Sequence, residues 1–541
     1  MLKFKLILLI SIIFITNIQS KAQQKDQLYI KLEQILSEIS DNYIANISKE
    51  KLIKETINSL FNNLDPHSVY RTKEEALKDD QLLEGNSMGL GIGYILISDT
   101  MVIVSITEGG PAQLAGLQQG DKVISINDND VSNRHISYNE IKNYLVIDSN
   151  SDIIFTIERD NHSKTKQIII KPSTVPNPSI ICSYKPNDST LYCKIIRFSE
   201  TTITEFNNIC KKDKKIKNFI IDLRNNNGGL LKSVIKLCDE FFDENHIIIK
   251  TIGEKDSTHN FFTTKNGKYF NSRIVVMINE NTASASEVFS GAIQDWDRGV
   301  IIGRRSFGKG LIQKRINLFD GSQIRLSNAK YYTPSGRCIQ KPYTPGNFDK
   351  YFDEINNRNF TGELVCADSI KPHNNDVFYT IIRHRKIYSL GGITPDVFIP
   401  LQNINIKNII LECISQQIFD DFAVTYIYNN KSSLKKYYNN FKLYNKEFVI
   451  NDNLVAELYK SMLLNSKLKS KYSPKEIENC LYTDINKSKL IIKASIAKYL
   501  FSNNEYFILL NNEDPIFINA LKIIDSPQLY EECLSGGIKT F

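Results

Sequence analysis

A chain of 541 residues with 42% hydrophobic and 23% charged side chains has room for about three or four globular domains and is too apolar for a disordered or fibrous protein. Its formal charge is +7, and three lysines lie in the first 22 residues, so the remainder carries only +4 and gives no ground for a nucleic-acid partner. Nine scattered cysteines do not make a disulfide framework; their odd number leaves at least one thiol unpaired in a monomer, and Cys182 and Cys193 are candidates to pair.

In chain order, residues 1–22 have the make-up of a secretory leader. Lys3 and Lys5 form a positive start, Leu6 to Ile15 is an apolar run broken only by Ser11, and Ser20-Lys21-Ala22 supplies small residues for cleavage before Gln23. The run is shorter than the ~20 residues of a membrane span. No cysteine follows it for lipid attachment, and no later segment is long and apolar enough to cross a bilayer. The chain is expected to be exported, to the periplasm or cell envelope, and cleavage of the leader is left open.

Residues 23–86 carry apolar side chains at helical spacing, first through Leu28, Leu32, Ile35 and Leu36, then through Leu52, Ile53, Ile57 and Leu60, until Leu64-Asp65-Pro66-His67-Ser68 breaks the pattern. Residues 87–173 read as a small β-rich module, with strands at 91–97, 101–106, 122–126, 153–157 and 167–171 and helices at 111–117 and 138–146. Farther on, strands expected at 219–223, 273–278 and 300–302 alternate with helices at 230–242 and 284–296, which argues for an α/β layer. Residues 401–541 return to helical stretches rich in Lys, Asn and Tyr.

Several segments carry chemistry. Gly89-Leu90-Gly91-Ile92-Gly93 leads into a strand; closely spaced glycines let backbone N–H groups converge on an anion, and an open strand edge beside them can pair with an extended peptide. Asp222-Leu223-Arg224-Asn225-Asn226-Asn227-Gly228-Gly229 joins a strand to a helix, a place where backbone donors can hold phosphate or an oxyanion. Asn281-Thr282-Ala283-Ser284-Ala285-Ser286-Glu287 offers a serine at another strand-to-helix turn, although Ser284-x-x-Glu287 also reads as a capping box. Gly303-x-x-x-x-Gly308-Lys309 approaches a phosphate loop, but Gly310 stands where the Mg²⁺-binding hydroxyl belongs, which speaks against nucleotide. Lys309 is instead a candidate base: a free lysine at pKa ~10.4 is too basic to take a proton near pH 7, and burial lowers that value. The seven histidines form no metal-ligand spacing, and His67 beside Pro66 reads as structural.

Gly89 to Gly93, Gly110-Pro111-Ala112, Ala115-Gly116-Leu117 and Gly120-Asp121-Lys122-Val123-Ile124 together resemble a PDZ domain of the permuted bacterial kind. With Leu64 to Ser68, Asp222 to Asn225 before Gly228-Gly229, Ser284 to Glu287, Phe307-Gly308-Lys309-Gly310, Tyr332 to Arg337 and Gly391 to Asp396 in that order, residues 30–400 resemble a carboxyl-terminal processing peptidase, or tail-specific protease. The resemblance implies a multidomain α/β protein with a crotonase-like (ClpP/crotonase) core. Its domains would be a signal peptide at 1–22, a helical region at 23–86, an inserted PDZ domain at 87–173, the protease core at 174–400 and a helical extension at 401–541.

It also implies a serine endopeptidase with Ser284 as nucleophile, Lys309 as base and Gln313 orienting the lysine. The oxyanion donors would be the N–H groups of Gly228, slightly favoured over Gly229, and of Ala285. Gly89, Leu90, Gly91, Ile92 and Gly93 would receive the substrate's C-terminus. The spacing of 25 residues from Ser284 to Lys309 and four more to Gln313 selects Ser284 over Ser286. Asn225-Asn226-Asn227 departs from the family, which often has another glycine or a proline before Gly228, so the turn geometry there is open. No metal or cofactor is expected. Partners would be protein or peptide substrates with free C-termini, an adaptor and a second copy of the chain. Two other functions follow from parts of the pattern: a catalytically silent PDZ scaffold of the cell envelope, and, by fold analogy alone, an acyl-CoA enzyme.

Overall fold

Phe219-Ile220-Ile221, Ile274 to Ile278 and Val300-Ile301-Ile302 are uninterrupted apolar runs, and such runs are stable as strands buried on both faces. In the computed structural model they are the neighbouring parallel strands Asn218–Asp222, Arg273–Ile278 and Val300–Gly303. The structure describes residues 27–540 apart from 98, 133, 146–150, 160–164, 254–256, 371–376, 390 and 402–403, so the expected leader at 1–22 lies outside the described residues. Among the described residues the sheet has seven strands, in the order Ile180–Tyr184, Thr190–Ile195, Asn218–Asp222, Arg273–Ile278, Val300–Gly303, Val397–Phe398 and Lys539–Thr540. The first pair is antiparallel and the rest are parallel.

Helices Thr202–Lys211, Leu231–Cys238 and Ala285–Asp295 cover one face, where Phe206, Phe219, Leu237 and Phe289 are fully buried. Helices Pro515–Asp525 and Pro527–Cys533 cover the other: Ile516, Phe517, Ala520 and Tyr530 pack on Tyr192, Ile220, Val275 and Met277. The end of the chain, expected as part of an extension beyond the core, therefore supplies one helical layer and the seventh strand. The rest of the tail has its own apolar centre, with Val455, Leu458, Ile477, Leu481, Ile492 and Ile496 buried among helices between 404 and 500. Cys182 and Cys193 are both free thiols. The register sets Cys193 opposite Ser183 and Cys182 opposite Lys194. This one-residue offset sends the two side chains to opposite faces of the sheet, one into each apolar cluster.

Residues 86–176 hold a second sheet, ordered Ile92–Ile97, Thr100–Ile106, Lys122–Ile126, Ile153–Glu158 and Thr165–Ile170, all antiparallel. Met101, Ile103, Val123, Phe155 and Ile157 fill its core against helix Tyr138–Tyr144. Ile153–Glu158 alternates buried and half-buried residues, the mark of a sheet with one covered face.

Residues up to 73, with Gln313–Ser327 and Tyr343–Phe352, form a separate compact unit. Within it the Asp65 carboxylate accepts the His67 N–H at 2.9 Å, the Ser68 N–H at 3.0 Å and the Ser327 hydroxyl at 2.9 Å. His67 Nε2 lies 2.7 Å from the Tyr351 hydroxyl, a structural contact.

Where strand Asn218–Asp222 ends, the fully buried Asp222 accepts hydrogen bonds from the Tyr192 hydroxyl at 2.8 Å, Lys194 Nζ at 3.0 Å and Arg224 Nη2 at 2.7 Å. Arg224 also pairs with Asp514, which caps helix Pro515–Asp525. Burial pushes the Asp222 carboxyl up, but the Arg224 and Lys194 charges beside it outweigh that and hold it well below the usual carboxylate range. A lowered folded-state value contributes stability at neutral pH that is lost as pH falls through that value. Asp222→Asn is expected to cost about 3–5 kcal/mol at pH 7, because it leaves buried cations unpaired, with the gap from wild type narrowing below about pH 4. Guanidinium unfolding followed by the fluorescence of the single tryptophan, Trp296, measures both.

Candidate active site

The three parallel strands end side by side, and each is followed by one of the segments singled out in the sequence: 223–229, 279–284 and 304–310. Backbone and side-chain hydrogen bonds stitch these loops together. The Thr282 hydroxyl donates to the Leu223 carbonyl at 2.9 Å, the Ala283 N–H to the Asn226 carbonyl at 3.0 Å, and the Phe307 N–H to the Thr282 carbonyl at 2.9 Å.

Ser284 heads helix Ala285–Asp295 with φ 55° and ψ −118°. A non-glycine residue in that region costs about 1–3 kcal/mol and persists only where its surroundings hold it. Glu287, one turn into the helix and fully buried, is the principal restraint. Its Oε2 accepts the Ser284 N–H at 2.8 Å and the Lys309 N–H at 2.9 Å. Its Oε1 accepts the Ser306 hydroxyl at 2.6 Å and the Gly308 N–H at 2.7 Å. Burial raises the Glu287 carboxyl above its ordinary range, opposed by these four donors. The capping box and the candidate nucleophile are thus parts of one device. The same carboxylate also takes up the Gly308 and Lys309 amides of the phosphate-loop-like segment, where a phosphate would otherwise need them.

Ser284 is half-buried, whereas Ser286 is fully buried and its hydroxyl donates to the Asn226 carbonyl at 3.0 Å. Lys309 is also half-buried. The hydroxyl of Tyr331, 2% exposed, lies 2.5 Å from the Lys309 carbonyl oxygen and 3.2 Å from that of Ser284, a second bridge between the two segments. Behind the lysine loop, Arg358 donates to the carbonyls of Arg305, Ser306 and Phe307 at 3.0, 2.8 and 3.2 Å. Lys341 lies over the Phe307 ring at 4.0 Å, and burial pushes its ammonium down to about 8 against the pull of Glu354.

The second turn meets Ser284 closely. A Cβ on Gly228 would lie 2.9 Å from the Ala283 carbonyl oxygen, the Ala285 nitrogen and the Ser284 Cβ, and one on Gly229 would lie 2.1 Å from the Phe198 carbonyl oxygen, so both positions exclude any side chain. The Asn triplet builds the turn in place of another glycine. Asn225 takes φ 59°, a region asparagine tolerates, with its amide N–H on Asn279 Oδ1 at 2.9 Å. Asn226 is fully buried; its Nδ2 donates to the Ile195 carbonyl at 3.0 Å and its Oδ1 accepts the Gly228 N–H at 2.9 Å. The Gly228 N–H, slightly favoured as an oxyanion donor from the sequence, is thus engaged within its own turn. Among the described residues, the N–H groups of Gly229 and Ala285 have no acceptor.

Gln313 belongs to the unit that contains residues up to 73, where its side-chain amide donates to the His67 carbonyl. Gly89 to Gly93 lie at the start of the smaller sheet's edge strand. The Leu90 and Gly91 carbonyls accept the Ala112 and Thr107 N–H groups at 2.9 and 2.8 Å, and among the described residues the Leu90 and Gly91 N–H groups have no acceptor. The remaining motifs are clamps. Fully buried Arg337 donates to Gln294 and Asp295 at 2.7 Å each, and Asp396 accepts from Gln294, Arg385 and the Ile301 N–H, which together fix the far end of helix Ala285–Asp295. Asn226 and Tyr331 carry no sequence signal of their own; their roles depend on which loops meet.

Family models match three stretches: a PDZ domain at residues 102–159, peptidase family S41 at 189–347, and a family of unknown function, DUF8443, at 410–502. The carboxy-terminal-processing protease of Bartonella bacilliformis is 33% identical over 313 residues, covering 57% of this chain and 71% of that one. The carboxy-terminal processing protease CtpB of Bacillus subtilis is 29% identical over 323 residues, covering 59% and 67%. Among solved structures, a photosystem II D1 C-terminal processing protease matches with 23% identity and a TM-score of 0.31, covering 56% of this chain and 83% of that one.

The Glu287 joint makes a direct expectation. Glu287→Gln turns one acceptor oxygen into an amide NH2 donor that faces two other donors, which is expected to cost about 2–4 kcal/mol of stability. Slackening the joint is expected to lower kcat by about 100-fold, with a smaller change in KM, because the loss is one of geometry at the reacting groups. Steady-state kinetics on a peptide substrate and a thermal melt measure these effects.

Proposed function

The chain belongs to peptidase family S41 and is a serine-type endopeptidase, and we propose that it is exported and cleaves proteins recognised by their C-termini, through a Ser284–Lys309 dyad and an acyl-enzyme. The observation that carries this reading is the strained Ser284 turn joined to the Lys309 loop by one buried carboxylate and one tyrosine. The parallel α/β layer beneath the site supports the crotonase-like core that the family resemblance implies.

In the proposed reaction a neutral Lys309 amine takes the Ser284 hydroxyl proton as Oγ attacks the peptide carbonyl. The oxygen that becomes negative is held by the Ala285 and Gly229 N–H groups, the first at a helix N-terminus where the backbone dipole also favours negative charge. The Lys309 ammonium returns the proton to the departing amine. Water then attacks the acyl-serine with the lysine again taking a proton; the acyl–Oγ bond breaks, the Lys309 ammonium returns that proton to Ser284 Oγ, and the product leaves as a new C-terminal carboxylic acid that ionises. Gln313, four residues after Lys309, is the residue that the family resemblance assigns to orient the amine. The PDZ domain receives the substrate's terminal carboxylate at Gly89 to Gly93, with the Leu90 and Gly91 N–H groups as donors. An adaptor and a second copy of the chain are further partners under this reading.

Ser284→Ala and Lys309→Ala are each expected to abolish cleavage of a peptide with a free apolar C-terminus while leaving its binding intact; full activity in both variants would overturn the dyad. Export is measured separately, by fractionating cells, where the protein is expected in the cell-envelope fraction; sequencing its N-terminus then decides whether the leader is removed before Gln23.

A further inference from the structure

Resting on the reading of residues 87–173 as a receptor for chain ends, we propose that Tyr138 is a specificity-determining stop in its groove, which limits strand pairing to about the last three residues of a bound C-terminus. Among the described residues, strand Ile92–Ile97 is the outermost of its sheet and pairs on one side only, with Thr100–Ile106. The Gly91 carbonyl faces that neighbour, since it accepts the Thr107 N–H at 2.8 Å. Backbone groups in a strand alternate in direction, so Gly93, Ile95 and Ile97 face the same way as Gly91, and Ile92, Tyr94 and Leu96 face the open edge. The register irregularity between Gly93 and Tyr94 leaves this alternation intact, because the unpaired residue, Val104, is on the partner strand.

The open edge is not open along its whole length. The Leu96 N–H donates to the Tyr138 hydroxyl at 3.3 Å, and the Tyr138 ring stacks on Tyr94 with centroids 6.0 Å apart and planes 30° apart. Tyr138 is the first residue of helix Tyr138–Tyr144, and a complete capping box fixes it there: Ser137 N–H on Glu140 Oε2 at 2.9 Å, Glu140 N–H on Ser137 Oγ at 3.2 Å. The strand is also backed from its other face, where Ile95 and Val104 are buried with Val424 of helix Ile418–Asn429.

A peptide whose carboxylate sits on the Leu90 and Gly91 N–H groups runs antiparallel along this edge. It finds a ladder partner at Tyr94, then meets Tyr138 where the next pair, at Leu96, would form. Ile92, Tyr94 and Leu96 share one apolar cluster with Ile141, Tyr144 and Leu145, and form the wall along which its side chains lie. The groove therefore reads the last residues of a chain and is insensitive to the sequence upstream.

The test uses the full chain carrying Ser284→Ala, so that bound peptide is not cut. Alanine-based peptides of two to eight residues ending in valine, labelled with fluorescein at the N-terminus and carrying a free carboxylate, are titrated by fluorescence anisotropy. Affinity is expected to reach a plateau at three or four residues. Tyr138→Phe frees the Leu96 N–H while keeping the ring and its packing, and Tyr138→Ala removes the stop altogether. In both, peptides of six residues or more are expected to gain about fivefold in affinity, the worth of about one strand hydrogen bond, and the tripeptide to gain none. Affinity that climbs with length in the Ser284→Ala protein, unchanged by either Tyr138 substitution, would overturn the stop. Peptides with an amidated end that bind as tightly as free acids in every variant would instead overturn the receptor reading on which it rests.

Discussion

The carboxylate of Glu287 is the interaction on which the site depends. A buried acid is costly to desolvate, and this one offsets that cost with four donors from three places: the head of its own helix, the Ser306 hydroxyl and two amides of the lysine loop. The consequence is geometric. Ser284 is held at a backbone conformation it would leave if free, and the loop carrying Lys309 is tied to the same two oxygens. A shift of one segment relative to the other breaks a charge-assisted hydrogen bond in a dry environment, where breaking it is most expensive. Capping a helix and presenting a nucleophile are often competing uses of one serine; here Glu287 restrains the turn from within the helix, so the two coincide.

Around this joint the protein buries further charge in pairs. Asp222 gathers Lys194 and Arg224, Arg305 and Arg358 share Glu354, and Arg337 and Arg385 meet Asp295, Asp297 and Asp396. Such pairs are weak evidence of stability, since desolvation consumes much of the attraction. Their value is directional, because they tie loop and helix ends to fixed points and so set where those ends lie. The groups cluster at the carboxyl ends of the parallel strands and along helix Ala285–Asp295, which are the elements that carry the serine and the lysine.

What the sequence disclosed follows from how local each signal is. The parallel strands and helix Ala285–Asp295 were legible because burial on both faces writes itself as a continuous apolar run, and because Ser284 and Glu287 are neighbours on one turn. The small sheet was legible from its alternation and its glycines. The pairing of the Gly228 amide was not, since it depends on the Asn226 side chain folding back two residues while its other end reaches Ile195. Nor was the part played by residues 515–540, whose apolar face is an ordinary amphipathic pattern until the exposed back of the sheet is known to need it. The two cysteines that were candidates to pair are separated by a single step of register, a quantity that composition and spacing do not carry.

The tail then acquires a structural meaning beyond packing. Its helix Ile418–Asn429 meets the small sheet through Val424, and Asp420 of that helix pairs with Lys498 at 2.8 Å. Helix Asn503–Asn511 follows, with Asn504 accepting the Ser183 N–H and Asn511 donating to Tyr184 on the edge strand of the large sheet, both at 2.9 Å. Asp514 completes the series by pairing with Arg224, two residues beyond Asp222 and at the start of the turn that ends in Gly228-Gly229. One continuous stretch of chain thus touches both the back of the candidate peptide groove and the base of the candidate oxyanion turn. The contact with the small sheet includes Ile95 and Val104 packed on Val424, and the contact with the large one is charged, hydrogen-bonded and backed by a helical layer, so this stretch joins the two sheets by both kinds of interaction.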